Sequence, residues 1–264
     1  MIWIATYLAA GAGVGFLAGL LGIGGGMTLV PILATLFGAQ SLAPDYTVHL
    51  ALGTGMASVL FTSSASVREH HRHAAVDWSL VARIAPGMLL GALSSTLAAG
   101  WISQRTLALA FAVIVFAGAT QILVGRKPKA GRGMPGAAAT FLVSYAIGVV
   151  CGLVSAGGAF LTIPFMLLCG VSMHRAIGTA AAIGVPVALV GTIGYVAGGW
   201  RIDALPPTTL GFVYVPALVA LVAASIVTAP WGARKAHALP VVTLKRVFAC
   251  LLYLLATKMA VSAW

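Results

Sequence analysis

Residues 19–31 read Gly19-Leu20-Leu21-Gly22-Ile23-Gly24-Gly25-Gly26-Met27-Thr28-Leu29-Val30-Pro31. Each glycine in a helix interior costs about 1 kcal/mol relative to alanine. The cluster from Gly22 to Gly26 therefore predicts an unwound point inside an otherwise apolar segment. That segment, Ile2 to Phe37, is too long for one crossing of a bilayer, which takes about 20 residues at about 1.5 Å each. A second run, Gly136 to Cys169, is also too long and is interrupted at Ser155-Ala156-Gly157-Gly158-Ala159. Six uninterrupted runs of spanning length complete the chain: His49 to Val67, Ser79 to Ala99, Thr106 to Gly125, Ile177 to Gly199, Thr209 to Ala229 and Leu244 to Ser262.

Composition agrees with a membrane setting. Of the 264 residues 61% are hydrophobic and 7% charged, against about 25% charged in a soluble domain. A water-soluble fold is excluded. The formal charge of +11 would suggest nucleic acid in a soluble protein, but the basic residues lie in short gaps between apolar runs. That placement orients a membrane protein instead. Cys151, Cys169 and Cys250 all fall in apolar runs, which reads as buried thiols. Ile2 to Leu21 has no basic residue before it and continues into apolar sequence, so it is read as part of the fold rather than as a signal peptide.

Counting charges decides how the broken regions cross. If each crosses once, 8 basic residues fall on one side and 6 on the other. If each folds back as a hairpin, one side collects Arg68, Arg72, Arg83, the linker's Arg126, Lys127, Lys129 and Arg132, and Arg175, Arg234, Lys235, Lys245 and Arg246. The other keeps Arg105 and Arg201. Twelve against 2 is the bias expected of cytoplasmic loops, so the hairpin reading follows, with the termini outside and the linker in the cytoplasm.

The sequence repeats across this linker. Gly15, Gly19, Leu20, Gly24, Gly25 and Pro31 recur at one constant offset as Gly148, Gly152, Leu153, Gly157, Gly158 and Pro164. His49-x-Ala51-Leu52-Gly53-Thr54 recurs as His174-x-Ala176-Ile177-Gly178-Thr179, and Thr106, Phe111 and Thr120 recur as Thr243, Phe248 and Thr257. The order is preserved, and the offset changes only across loops. The expected organisation is a first transmembrane repeat (1–125), a basic cytoplasmic linker (126–135) and a second repeat (136–264). Each repeat is a Gly-broken helical hairpin plus three transmembrane helices. An odd number of crossings per repeat makes the two inverted, as in transporters whose site lies near the midplane between the repeats.

The arms after the breaks, Met27 to Phe37 and Phe160 to Cys169, would span about 16 Å, half the bilayer. Irregular backbone at that depth is tolerated where it is buried in protein or lines a watery cavity. A helix starting there points free N–H groups and its positive dipole end inward, and glycine lets a ligand approach. Two such ends would cradle an anion without a buried cation. Gly24, Gly25, Gly26, Gly157 and Gly158 are the candidate backbone donors. Thr28, Thr54, Ser155, Thr162 and Thr179 are the hydroxyls near enough in sequence to join them. Gly11, Gly15 and Gly19, four residues apart, read as a helix contact. Pro31 and Pro164 read as residues near the starts of the arms.

The glycine-rich Gly19 to Gly26 stretch running into Val30-Pro31, its counterpart from Gly152 into Ile163-Pro164, and the two His-x-Ala-x-Gly-Thr segments resemble the sulfite exporter TauE/SafE family over nearly the whole chain. The resemblance implies a multi-pass permease of the bacterial inner membrane that exports sulfite or an organosulfonate such as sulfoacetate. These motifs specify the family well and the substrate poorly. An uptake carrier or a channel for another small anion is the alternative within transport.

Other features carry less. Glu69-His70-His71-Arg72-His73 with Asp77 reads as a solvated basic loop rather than a metal site, because three arginines surround it. His49 and His174 lie near span ends, where an interfacial or capping role is expected rather than a proton relay, and Asp77 and Asp203 read as helix caps. A membrane-embedded enzyme should place acids or metal ligands at membrane depth, whereas Asp45, Glu69, Asp77 and Asp203 all lie in or beside loops. The expected partners are a small anion and the lipid bilayer, with no nucleic acid, metal or other cofactor; a homo-oligomer is left open.

Overall fold

The computed structural model of the chain describes residues 2–21, 25–124, 133–236 and 241–261, without the side chains of 19–21, 69, 232–236 and 241–245. Gly24 and most of the linker lie outside the described residues. Ten helices are present among those described: α1 (Ile2–Leu21), α2 (Gly26–Ala39), α3 (Thr47–Arg72), α4 (Trp78–Ala99), α5 (Gln104–Val124), α6 (Ala137–Leu153), α7 (Ala159–Leu168), α8 (Met173–Gly199), α9 (Val215–Ala236) and α10 (Val241–Val261). Their starts follow the sequence repeat. Gly26 and Ala159 stand in the register that pairs Gly25 with Gly158, while Trp78 with Val215, and Gln104 with Val241, stand in the register that pairs Thr106 with Thr243.

Among the described residues, α3, α4, α5 and α8 are each long and apolar enough to cross a membrane, and shorter apolar helices accompany them at Gly26–Ala39, Ala137–Leu153, Ala159–Leu168 and Val215–Trp231. The protein is an all-α multi-pass membrane protein. Its surface carries large apolar side chains such as Val113, Leu142, Val219 and Leu254, each more than 60% exposed. Lipid tails solvate such a surface where water would not.

The helices of the two halves interpack reciprocally. α1 lies on α9 and α6 on α4, while α3 packs on α8 and α5 on α10. Small residues make the close crossings. A β-carbon at Gly11 would sit 2.7 Å from the Leu221 carbonyl, and one at Gly15 2.5 Å from Ser225 Cα. Gly87 stands in the same relation to the Phe141 carbonyl, also at 2.5 Å.

Several boundaries differ from the sequence reading. The span expected from Thr209 begins at Val215, because Thr209–Leu210 and Val213–Tyr214 pair as a two-residue antiparallel ladder (β1, β2) around Gly211, whose φ is 54°. Asp203 lies in a turn well before α9 and caps nothing there. α3 continues through Arg72, so Arg68 to Arg72 extend a helix instead of forming a loop. Pro31 and Pro164 are each the sixth residue of their arm, past the first turn in which a missing N–H is tolerated. Each removes one backbone hydrogen bond from its arm, at the carbonyl of Met27 or Phe160.

Candidate functional site

The second break is a defined helix stop. Ser155 takes a left-handed backbone, φ 52°. The Ala156 N–H donates to the Cys151 carbonyl at 2.9 Å and the Ser155 N–H to the Gly152 carbonyl at 3.3 Å. These two bonds close α6 in the paired pattern that usually places glycine at the left-handed position. The serine is held by its own hydroxyl, which donates to the Leu52 carbonyl of α3 at 2.7 Å, and by full burial. Tyr195 of α8, also buried, donates to the Gly152 carbonyl at 2.9 Å. The chain then turns through Gly158, φ 90°, into α7.

The first break meets the second. Any β-carbon on Gly26 would collide with the Ser155 carbonyl oxygen, and it would lie 2.9 Å from Val59. Gly55 faces the same place, with a β-carbon there 3.6 Å from that of Ser155. Gly157 abuts α3 as well, where a β-carbon would lie 2.7 Å from Val59 and 3.1 Å from the Ser63 hydroxyl. Two interruptions from opposite halves of the sequence thus touch inside the bundle, walled by α3 and α8. The arms leaving them have 14 and 10 residues, about 21 and 15 Å, each shorter than a hydrocarbon core of about 30 Å.

The expected hydroxyls separate into two groups. Ser155 is at the meeting point, Thr28 donates to the Gly25 carbonyl at 2.8 Å, and Thr162 donates to Met88 Sδ at 3.4 Å. Thr54 and Thr179 do other work. Thr54 accepts from the Tyr214 N–H at 2.9 Å, just before α9, and Thr179 accepts from the Asp77 N–H at 3.0 Å, just before α4. The preceding glycines press on the same turns. A β-carbon on Gly53 would collide with the Phe212 carbonyl, and one on Gly178 would lie 2.5 Å from that of Ala75. The repeated Gly-Thr is therefore a clasp: the glycine admits a turn backbone and the threonine binds the N–H two residues further on.

The histidines of the same motif diverge. His49 is buried, stacks on Phe212 at 4.8 Å, and places Nε2 3.0 Å from the carbonyls of Ala99 and Ile102, where it caps the end of α4. His174 is exposed. Asp77 does cap α4, accepting from the Ser79 and Leu80 N–H groups, and it pairs with Arg175 at 2.8 Å. Burial raises the Asp77 carboxyl, but the Ser79 hydroxyl, the Leu80 N–H, Arg175 and the Ser79 N–H together hold it below its ordinary value of 3.8.

Sequence reasoning missed Ser63 and Tyr195. The available signal for Ser63 was the hydroxyl-rich Thr62-Ser63-Ser64-Ala65-Ser66 inside an apolar run. For Tyr195 there was none beyond a lone phenol in a span.

A bundle with an apolar exterior, and with two helix interruptions facing each other in its interior, is the architecture of a membrane transporter. The family model described as Sulfite exporter TauE/SafE matches residues 7–259, and the chain belongs to that family. It is 32% identical over 261 residues to a "Probable membrane transporter protein" of Haemophilus influenzae, covering 97% of this chain and 98% of that one. It is 25% identical over 238 residues to "Probable membrane transporter protein YdhB" of Bacillus subtilis, covering 88% and 89%. No solved structure matches it.

Proposed function

We propose that the protein exports sulfite or a related organosulfonate, held between the two broken helices near the middle of the bilayer. The observation that carries this reading is the contact of Gly26 with Ser155. That contact sets the start of α2 against the turn between α6 and α7, four residues before α7 begins, so the starts of both arms offer backbone donors and positive dipole ends to an anion as the breaks part. In the arrangement described they are closed on each other, so binding requires the arms to separate. The reciprocal packing of α1 on α9 and of α6 on α4 supports two inverted repeats, 1–125 and 136–264, that move relative to each other. The imbalance of 12 basic residues to 2 supports a cytoplasmic linker and external termini in the inner membrane.

The test is flux in proteoliposomes loaded separately with sulfite, sulfoacetate, sulfate and thiosulfate. Sulfite or sulfoacetate should leave at least about tenfold faster than sulfate. Equal flux of all four would favour a channel for small anions. No flux of any of them would refute the reading.

A further inference from the structure

We infer that a cavity beside α2 is a vestibule that holds small oxyanions at one face of the membrane as they leave the carrier, with Arg105 and Lys258 as its cationic mouth. This rests on the reading of the protein as an anion carrier. The cavity has a volume of about 390 Å³, room for roughly a dozen waters at about 30 Å³ each or for an oxyanion with part of its hydration. Pro31, Ala34, Thr35 and Gly38 line it from one face of α2, as their spacing of three and four requires. Pro31 is five residues from Gly26, about 7.5 Å along the helix axis, so the Pro31 edge of the cavity lies within two turns of the first break.

The opposite wall comes from helix ends. Thr47 lies in the first turn of α3, Gln104 and Arg105 in the first turn of α5, and Lys258 in the last turn of α10. Two cations and the positive end of α5 thus share one small concavity, where low-dielectric walls focus their field. Gln104 gives Nε2 to the Pro44 carbonyl at 2.9 Å, and its Oε1 is buried with no partner among the described residues.

The pair is not a by-product of the repeat. In the register that pairs Thr106 with Thr243, Gln104 and Arg105 correspond to Val241 and Val242, and Lys258 corresponds to Gln121. The second arm has no equivalent cations at these places. The vestibule is therefore one-sided, and it lies on the face where, by the charge count, Arg105 and Arg201 are the only basic loop residues.

The experiment uses the full chain in proteoliposomes with Cys169→Ala and Cys250→Ala. Gly38→Cys is the reporter, since a β-carbon there meets nothing within 4 Å. Its reaction with an anionic methanethiosulfonate should exceed that with a cationic one of similar size, and sulfate should slow it. In the double variant Arg105→Gln/Lys258→Gln the anionic preference should fall about tenfold and sulfate protection should vanish. Arg105→Lys and Lys258→Arg, which keep the charge, should retain both and report if the double variant fails to fold. A preference unchanged in the double variant, or absent from Gly38→Cys and both charge-keeping variants, overturns the vestibule. Preference lost on neutralisation in a protein that carries neither sulfite nor sulfoacetate leaves the vestibule standing and removes the transport reading instead.

Discussion

Gly26 and Ser155 touch through their backbones, and that contact leaves no space for a β-carbon at residue 26. Overpacking of this kind costs about 1–3 kcal/mol, and here it would wedge the two breaks apart. Gly26→Ala is expected to lower the melting temperature in detergent by several degrees and to alter flux. Gly13→Ala, where an added β-carbon meets nothing within 4 Å, should leave both unchanged. Gly15 is no mild control for such a series, although its sequence spacing already read as packing, because its β-carbon would strike Ser225 and Thr228 of α9. Equal melting of the Gly26 and Gly13 variants would show that the breaks tolerate separation. The residue scale also shows what spacing alone could not resolve. Thr54 and Thr179 lie within a motif that repeats, yet their oxygens serve the turns before α9 and α4 rather than the meeting point.

At the scale of elements, α4 is tied to the rest of the bundle at its start. Asp77 caps it, Arg175 of α8 pairs with that carboxylate, and Thr179 takes the Asp77 N–H. Because the Asp77 value is depressed on folding, its stabilisation is present above the ordinary value and is lost as pH falls through the folded one. The melting temperature of the native protein should therefore fall on acidification below about pH 4 more steeply than that of Asp77→Asn. Asparagine keeps the cap and loses only the ion pair, worth about 0–1 kcal/mol at an exposed position. Parallel melting curves for the two proteins across that range would remove the ion pair from the account. The hairpin Thr209 to Tyr214 plays the matching part for α9. Sequence periodicity absorbed it into a span because its residues are as apolar as the helix they precede.

For the whole molecule, the expected driving force follows from what the spans lack. Asp45, Asp77 and Asp203 lie in or beside loops and Glu69 lies in the last turn of α3, so the sequence puts no acid near the middle of a span to couple protons to the cycle. An anion leaving a cell with a negative interior gains about 2.3 kcal/mol per charge per 100 mV. Electrogenic uniport is therefore expected. A valinomycin-imposed potassium potential should set the direction of sulfite flux, with the anion moving toward the positive side. Flux that ignored this potential and followed a pH gradient would point to proton coupling instead.

The amino-acid sequence by itself determined the membrane setting, the two glycine breaks and the repeated order of elements. Apolar run length and glycine content act locally, on a backbone that must satisfy its own hydrogen bonds in lipid. Tertiary structure alone decided that the breaks touch, since Gly26 and Ser155 meet only after α3 and α8 bring the halves together. It also decided the fates of His49 and His174, which share a motif and differ in what packs over them. The vestibule belongs to the same category: Pro31, Thr47, Arg105 and Lys258 come from four helices. No local pattern records that their ends converge, because the convergence is a property of how long apolar helices pack and not of any one of them.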